Sequence, residues 1–461
     1  MKYEKNKVEN LKIAYIGGGS RGWAWGLMSD LASADDISGE VSLYDIDLTA
    51  AENNVIIGNK FNDAEGAKSQ WKYSAAKSLK EALTGADFVV ISILPGTFDE
   101  MASDVHEPEK YGIYQSVGDT SGPGGIVRAM RTVPMFEEIA ENIKKYAPNA
   151  WVINYTNPMT LCVKTLYRVF PGIKAFGCCH EVFGTQRFLC KMVEEMLGAE
   201  NVDRHEIKVN PVGVNHFTWL TKAAYRNIDL FPYYREFCKK YKDGYGQVDT
   251  NWMNSVFSSA EKVKIDLFLK FGYIAAAGDR HLAEFCEGKW YLENPDRVRE
   301  MKFSLTDVAW RRTDLKNRLE RSRKLVSGEE AVKINGTGEE GVDQIRALLG
   351  LTELVTNVNI PNLGQIPNLP IGAVVEGNAV FRANSLTPVL AGPIPDEIYP
   401  LISRICTEQE LVSKGIAERD LDKIFTAFAN DPLVTCGLED AKKLFDSMCE
   451  NTKKYLTMYF S

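Results

Sequence analysis

Thiol, imidazole and carboxylate groups crowd into one short stretch, Gly177-Cys178-Cys179-His180-Glu181-Val182-Phe183-Gly184. Thiolate and imidazole are good ligands for a borderline divalent metal. Another candidate ligand follows in Val214-Asn215-His216-Phe217. Taken singly, a cysteine is a small buried hydrophobe and a histidine a satisfied core residue. Two of the chain's five histidines fall in these short segments, which weakens that plain reading. A third chemical segment runs from Tyr273 to Leu282, where Asp279, Arg280 and His281 follow a run of small residues and the Tyr273 phenol lies nearby. Acid–base chemistry and anion recognition need such groups; the plainer alternative is a helix start with Asp279 as its cap. The stretch Gln115 to Ile126, which holds Asp119, is too glycine-rich for a regular element. It either turns backbone N–H groups towards an anion or hydroxyl or serves as a surface connection. Asn157 precedes Pro158, which biases its backbone to the extended region.

These side chains need elements to hold them. Leu11 to Ile16 reads as a buried strand; Gly17-Gly18-Gly19-Ser20-Arg21-Gly22 follows at once, then a helical pattern through Leu27, Met28 and Leu31. That is G-x-G-x-x-G in a strand–turn–helix setting, which lets backbone approach a pyrophosphate at a helix N-terminus. A second strand, Glu40 to Tyr44, ends at Asp45, placed to hydrogen-bond ribose hydroxyls and to repel a 2′-phosphate, so NAD is favoured over NADP. Ala86 to Leu94 is a near-continuous apolar strand ending in Pro95-Gly96, and Trp151 to Asn154 is another with polar residues at its end. Ligands of parallel sheets bind at such ends. Alternating strands and helices over about the first 190 residues predict an α/β, Rossmann-type doubly wound parallel sheet. From about residue 200 helical patterns dominate, which predicts a second, mainly helical α+β domain. The expected division is 1–200 and 201–461, with no clean linker and a shared interface. Leu421, Ile424, Phe425 and Phe428 fall at helical spacing and read as core, and the charged run Arg311 to Lys324 as a solvated helix face.

Composition bounds the class. Apolar content of 45% and charge of 25% over 461 residues are ordinary for a globular protein. No apolar run reaches membrane-spanning length, and the charged N-terminus lacks a signal peptide's apolar core, so a cytoplasmic protein is expected. A net charge of −8 without a Lys/Arg block argues against nucleic acid. Nine cysteines at irregular spacing do not form a disulfide framework.

Taken together, Ile16 to Ser20, Asp119-Thr120 with Gly122 to Gly125, Asn154 to Pro158, Cys179 to Val182, Asn215 to Phe217 and Pro361 to Gly364 resemble glycoside hydrolase family 4, the NAD- and metal-dependent glycosidases. Within it, Cys-His-Glu-Val and Gly278 to His281 look closest to the α-galacturonidases. The resemblance implies hydrolysis of α-galacturonides by a redox-neutral cycle: oxidation at sugar C3, elimination, water addition and reduction, with NAD⁺ and a divalent metal, typically Mn²⁺. It implies Cys179 and His216 as metal ligands, Asn157 as a substrate residue, Asp279 as the base at C2 with Tyr273 as its rival, and His180 at the glycosidic oxygen or shaping the pocket. Gly17, Gly18, Gly19, Ser20, Arg21, Asp45, Leu94, Pro95 and Asn154 are the expected cofactor residues. Asp119, Asn157, His180, Arg280 and His281 are the expected substrate residues, with Arg280 as first candidate for the uronate carboxylate. A homo-oligomer, dimer or tetramer, is expected. The alternatives are an α-glucosidase, α-galactosidase or α-glucuronidase of the same family, or a lactate/malate-type NAD-dependent dehydrogenase.

Overall fold

A computed structural model of the chain describes residues 1–246 and 259–460. The apolar run Lys7–Ile16 (β1) enters the glycine turn, and Trp23–Ser33 (α1) leaves it. Gly17 has φ +92, and a Cβ there would lie 2.0 Å from the Ser92 carbonyl oxygen, so only glycine suits the turn. Then come Ile37–Tyr44 (β2), Trp71–Ala76 (β3) and Phe88–Ile91 (β4). The long helix Gly122–Tyr146 (α2) leads to Trp151–Asn154 (β5) and Lys174–Gly177 (β6), followed by Glu181–Leu197 (α3). These six strands pair in parallel in the order β3-β2-β1-β4-β5-β6. This is the expected doubly wound sheet.

The sheet does not stop at β6. Ile207–Val214 (β7) and Phe217–Tyr225 (β8) form an antiparallel pair. Later come the short helix Asp279–Phe285 (α4), the charged helix Val308–Ser327 (α5), and a second antiparallel pair, Leu354–Pro361 (β9) and Val374–Arg382 (β10). β9 joins β6 at Asn359–Gly177, and β10 joins β7 at Glu376–Gly213. One continuous 14-stranded sheet therefore runs through both halves. Side chains cross in the same way: Val342, Ile345 and Leu348 of the helix Gly341–Leu348, with Val358 and Phe381, pack in one cluster with Ile13, Met28, Leu31 and Val41. A second large cluster lies among the C-terminal helices, where Ile424 and Phe428 are buried and Leu421 and Phe425 pack against them. α5 is mostly exposed, as its charge predicts, but Arg318 reaches across to donate 3.0 Å to the Arg21 carbonyl. Among the described residues, no helix is long and apolar enough to cross a membrane.

Candidate active site

The ends of the parallel strands carry the first group of predicted residues. The Gly17 and Gly18 N–H groups both donate 2.9 Å to the Tyr44 carbonyl, and Gly19 N–H donates 2.9 Å to Asp45 Oδ2. A Cβ at Gly18 or Gly19 would meet Leu43 or Ala50 at 2.7 Å, so the turn stays low against the sheet. Beyond Asp45, the Ile46 side chain is 96% exposed, and Leu94 is half-exposed after β4. Bare apolar side chains at two strand ends suit a flat apolar ring such as adenine, and Ile46 carried no motif that would have flagged it. Pro95 holds its loop by accepting 2.9 Å from Arg131 Nε; that guanidinium is also paired in full burial with Asp104. Asn154 exchanges two 3.0 Å hydrogen bonds with the Thr156 backbone, so its amide shapes the turn that precedes Asn157. Arg21 lies 3.7 Å from Asp47. The turn, its acidic terminus and the two exposed apolar residues fit a dinucleotide.

The second group converges from four separate segments. Among the described residues, Asp119, His216 and His281 are the group whose ligand atoms lie within 4.8 Å of one another. The His216 and His281 rings are 3.9 Å apart, at 36°. Asp119 accepts from Thr120 Oγ1 at 2.7 Å and from Asn157 Nδ2 at 3.1 Å, and Thr120 Oγ1 also lies 3.3 Å from His216 Nδ1. Burial works against the Asp119 charge, but Arg128, His281 and His216 outweigh it and hold its pKa at about 2. Burial, followed by the neighbouring His281, pushes His216 down to about 3, the neutral form a metal requires. His281 Nδ1 and Asn157 Oδ1 are buried without a hydrogen-bond partner. Orphaned polar atoms facing two imidazoles and a carboxylate fit a divalent cation with oxygen ligands to spare.

Glu181 links this group to the opening. Its Oε2 accepts 2.6 Å from Gly278 N–H, while Oε1 lies 3.7 Å from His281 Nε2 and 3.9 Å from His180 Nε2. Against burial, the three neighbouring imidazoles of His281, His216 and His180 and that N–H hold its carboxyl at about 2. His180 Nδ1 lies 3.0 Å from Glu339, whose hydrogen bond raises the imidazole pKa against burial. Glu339 went unnoticed because Gly336 to Gly341 has neither periodicity nor a motif.

Three predicted residues are placed differently. Cys179 is not one of the three converging ligands; its thiol lies against the Asn215 amide, next to His216 in sequence, and burial followed by Glu376 and Glu181 raises its pKa. Glu376 is itself held by Thr218 Oγ1 at 2.6 Å and Asn357 Nδ2 at 2.9 Å. Arg280 is tied to neighbouring segments: it donates to the Ser116 carbonyl, at 2.9 Å to Thr306 Oγ1 and at 3.1 Å to the Ser304 carbonyl. Tyr273 is not brought in; its ring faces Phe231 at 6.4 Å, and its nearest charges are Glu397 and Asp396. Asp279 starts α4, yet its Oδ1 accepts 3.1 Å from Lys264 N–H, in the first turn of the neighbouring helix Lys262–Phe271. Burial and Glu261 raise it to about 7, and its Oδ2 has no partner.

The chain has known relatives. The model of the family 4 glycosyl hydrolases matches residues 12–195, and that of their C-terminal domain matches residues 211–434. The chain belongs to glycosyl hydrolase family 4. An α-galacturonidase from Thermoanaerobacterium saccharolyticum is 61% identical over 458 residues, covering 99% of this chain and 98% of its own. The crystal structure of a Bacillus subtilis protein described as a glucosidase superposes with a TM-score of 0.91 at 52% identity, covering 96% of this chain and 100% of its own. A Thermotoga maritima 6-phospho-β-glucosidase, solved with manganese, NAD⁺ and glucose-6-phosphate, shares the fold at a TM-score of 0.77 and 21% identity, covering 96% and 99%. This family 4 chain is therefore a glycosidase, and a plain dehydrogenase is set aside.

Proposed function

We propose that this family 4 enzyme hydrolyses α-glycosides of galacturonic acid, with NAD⁺ and a divalent metal such as Mn²⁺ as resident groups. The observation that carries the reading is the convergence of Asp119, His216 and His281 in a chain that also carries a dinucleotide-type turn. The full-length identity to an α-galacturonidase supports the uronate. When bound, NAD⁺ would exchange a hydride with the sugar's C3 and the metal would draw charge from its C2 and C3 oxygens. His216, Asp119 and His281 would hold the metal, joined by Cys179, whose thiol lies against the Asn215 amide. Asn157 steadies Asp119 through its Nδ2 and offers the free Oδ1 to a sugar hydroxyl.

Asp279 keeps the role of base at C2, on a pKa near 7 and a free Oδ2. His180, whose pKa the Glu339 hydrogen bond raises, takes the role of proton donor to the glycosidic oxygen. Arg280 is engaged by the Ser116 and Ser304 carbonyls and by Thr306, so we give the carboxylate-reading role to Arg311 of α5, a half-buried guanidinium that feels the Asp119 charge. The test is a panel of α- and β-glycosides of galacturonate, glucuronate, galactose, glucose and 6-phospho-sugars, with NAD⁺, Mn²⁺ and a thiol. The expected result is fastest turnover of the α-galacturonide with no net NADH; faster turnover of a neutral or phosphorylated hexoside would sink the uronate assignment.

A further inference from the structure

A half-exposed indole stands beside the site, and none of the roles above uses it. Trp23 is the first residue of α1 and is 44% exposed. Its ring lies 5.3 Å from the Tyr155 ring at 35° and 6.2 Å from the His180 imidazole at 34°. Tyr155 is wedged in turn, since a Cβ at Gly341 would fall 2.2 Å from its hydroxyl oxygen. The indole is therefore backed by a fixed ring on one side. On another it borders a cavity of about 240 Å³, with Thr337 and Glu339 at its wall.

Exposure marks the way out of the site. The His281 and Glu181 side chains are 17% and 18% exposed, His180 is 48% exposed, and Trp23 comes next in the row. A sugar whose C2 and C3 oxygens sit at the His216 group must carry its leaving group towards solvent. The open direction passes His180 and then the indole. We propose that Trp23, backed by Tyr155, is the stacking platform for the sugar ring on the leaving-group side of the scissile bond. A galacto-configured ring carries its C3, C4 and C5 hydrogens on one face. These weakly positive C–H bonds complement the negative face of an indole, and aromatic side chains with a few polar groups are the common lining of ligand sites. The inference rests on the galacturonide reading above and adds the second ring.

The experiment compares kcat/KM on α-1,4-digalacturonate and on methyl α-galacturonide, for the unmodified protein, Trp23→Ala and Trp23→Tyr, with the NAD⁺ dissociation constant measured alongside. In Trp23→Ala the ratio of digalacturonate to methyl galacturonide should fall about tenfold, the size of one good aromatic contact, and Trp23→Tyr should recover most of it. A ratio within about twofold of the unmodified protein's would overturn the platform. So would an NAD⁺ dissociation constant weakened by as much as the ratio falls, which would give the indole to the cofactor. If the unmodified protein cleaves neither galacturonide, the galacturonide reading fails, and the platform with it.

Discussion

Two guanidiniums and three imidazoles separate what a residue's type suggests from what its position does. Arg280 has the chemistry to read a carboxylate, but its donors go to the Ser116 and Ser304 carbonyls and to Thr306. Arg280→Ala removes hydrogen bonds from a buried charged group, worth roughly 1.5–3 kcal/mol each. It should lower the unfolding free energy by about 3 kcal/mol in urea titration and reduce kcat/KM equally on an α-galacturonide and a neutral α-galactoside. Arg311→Ala should instead cost about tenfold more on the galacturonide. On the metal side, His216→Ala and Cys179→Ser should each abolish turnover. His281→Ala should weaken Mn²⁺ by about 10- to 100-fold, read from the electron paramagnetic signal of free Mn²⁺; unchanged affinity would remove His281 from the site. His180 was legible in the sequence because dense heteroatom types within a few positions are rare by chance, and His216 because histidine is scarce in this chain, while Glu181 lay in the first stretch without an assigned role. The partnership of Asp119 with His216 and His281 was not, since nothing local says that residues so far apart share a cavity.

At the scale of the element, α4 does two jobs within seven residues. It presents His281, and it clamps the loop that presents Asp119. Glu284 Oε1 accepts 2.8 Å and 2.9 Å from the Val117 and Gly118 N–H groups, and the Arg280 carbonyl accepts from Ser116 Oγ at 2.5 Å. Glu284 is buried, which pushes its carboxyl up to about 8 from an ordinary 4.5. A carboxyl with a folded pKa above its unfolded one binds more protons in the fold. Its contribution is therefore fully present below about 4.5 and is lost as pH rises towards 8, at up to about 1.4 kcal/mol per unit. Glu284→Gln should flatten stability over that window, checked by urea midpoints at several pH values; an unaltered profile would assign the slope elsewhere. The strands and α1 could be read from hydrophobic runs and glycine spacing. The 115–121 loop could not, because its order comes from α4, more than 150 residues downstream.

At the scale of the whole molecule, the parallel half was legible and its completion was not. Antiparallel pairs formed far along the chain are hard to foresee from local pattern, and β9 and β10 carry too much asparagine and glycine to announce buried strands. Val342, Ile345 and Leu348 close one face of the N-terminal sheet. A fragment of residues 1–200 would leave that face bare, so it should bind a hydrophobic dye and fail to give a cooperative melt. The intact chain should melt in a single calorimetric transition. The same continuity bears on how such enzymes can be recombined. A chimera joined at residue 200 would set one parent's sheet against the other parent's β9, β10 and 341–348 helix, and mismatched side chains would meet at Asn359–Gly177, where a Cβ on the glycine would fall 3.0 Å from the Asn359 Cβ. Exchange of specificity between relatives should therefore succeed when 341–382 travels with the N-terminal half as one inherited block, with the crossover points placed on either side of it.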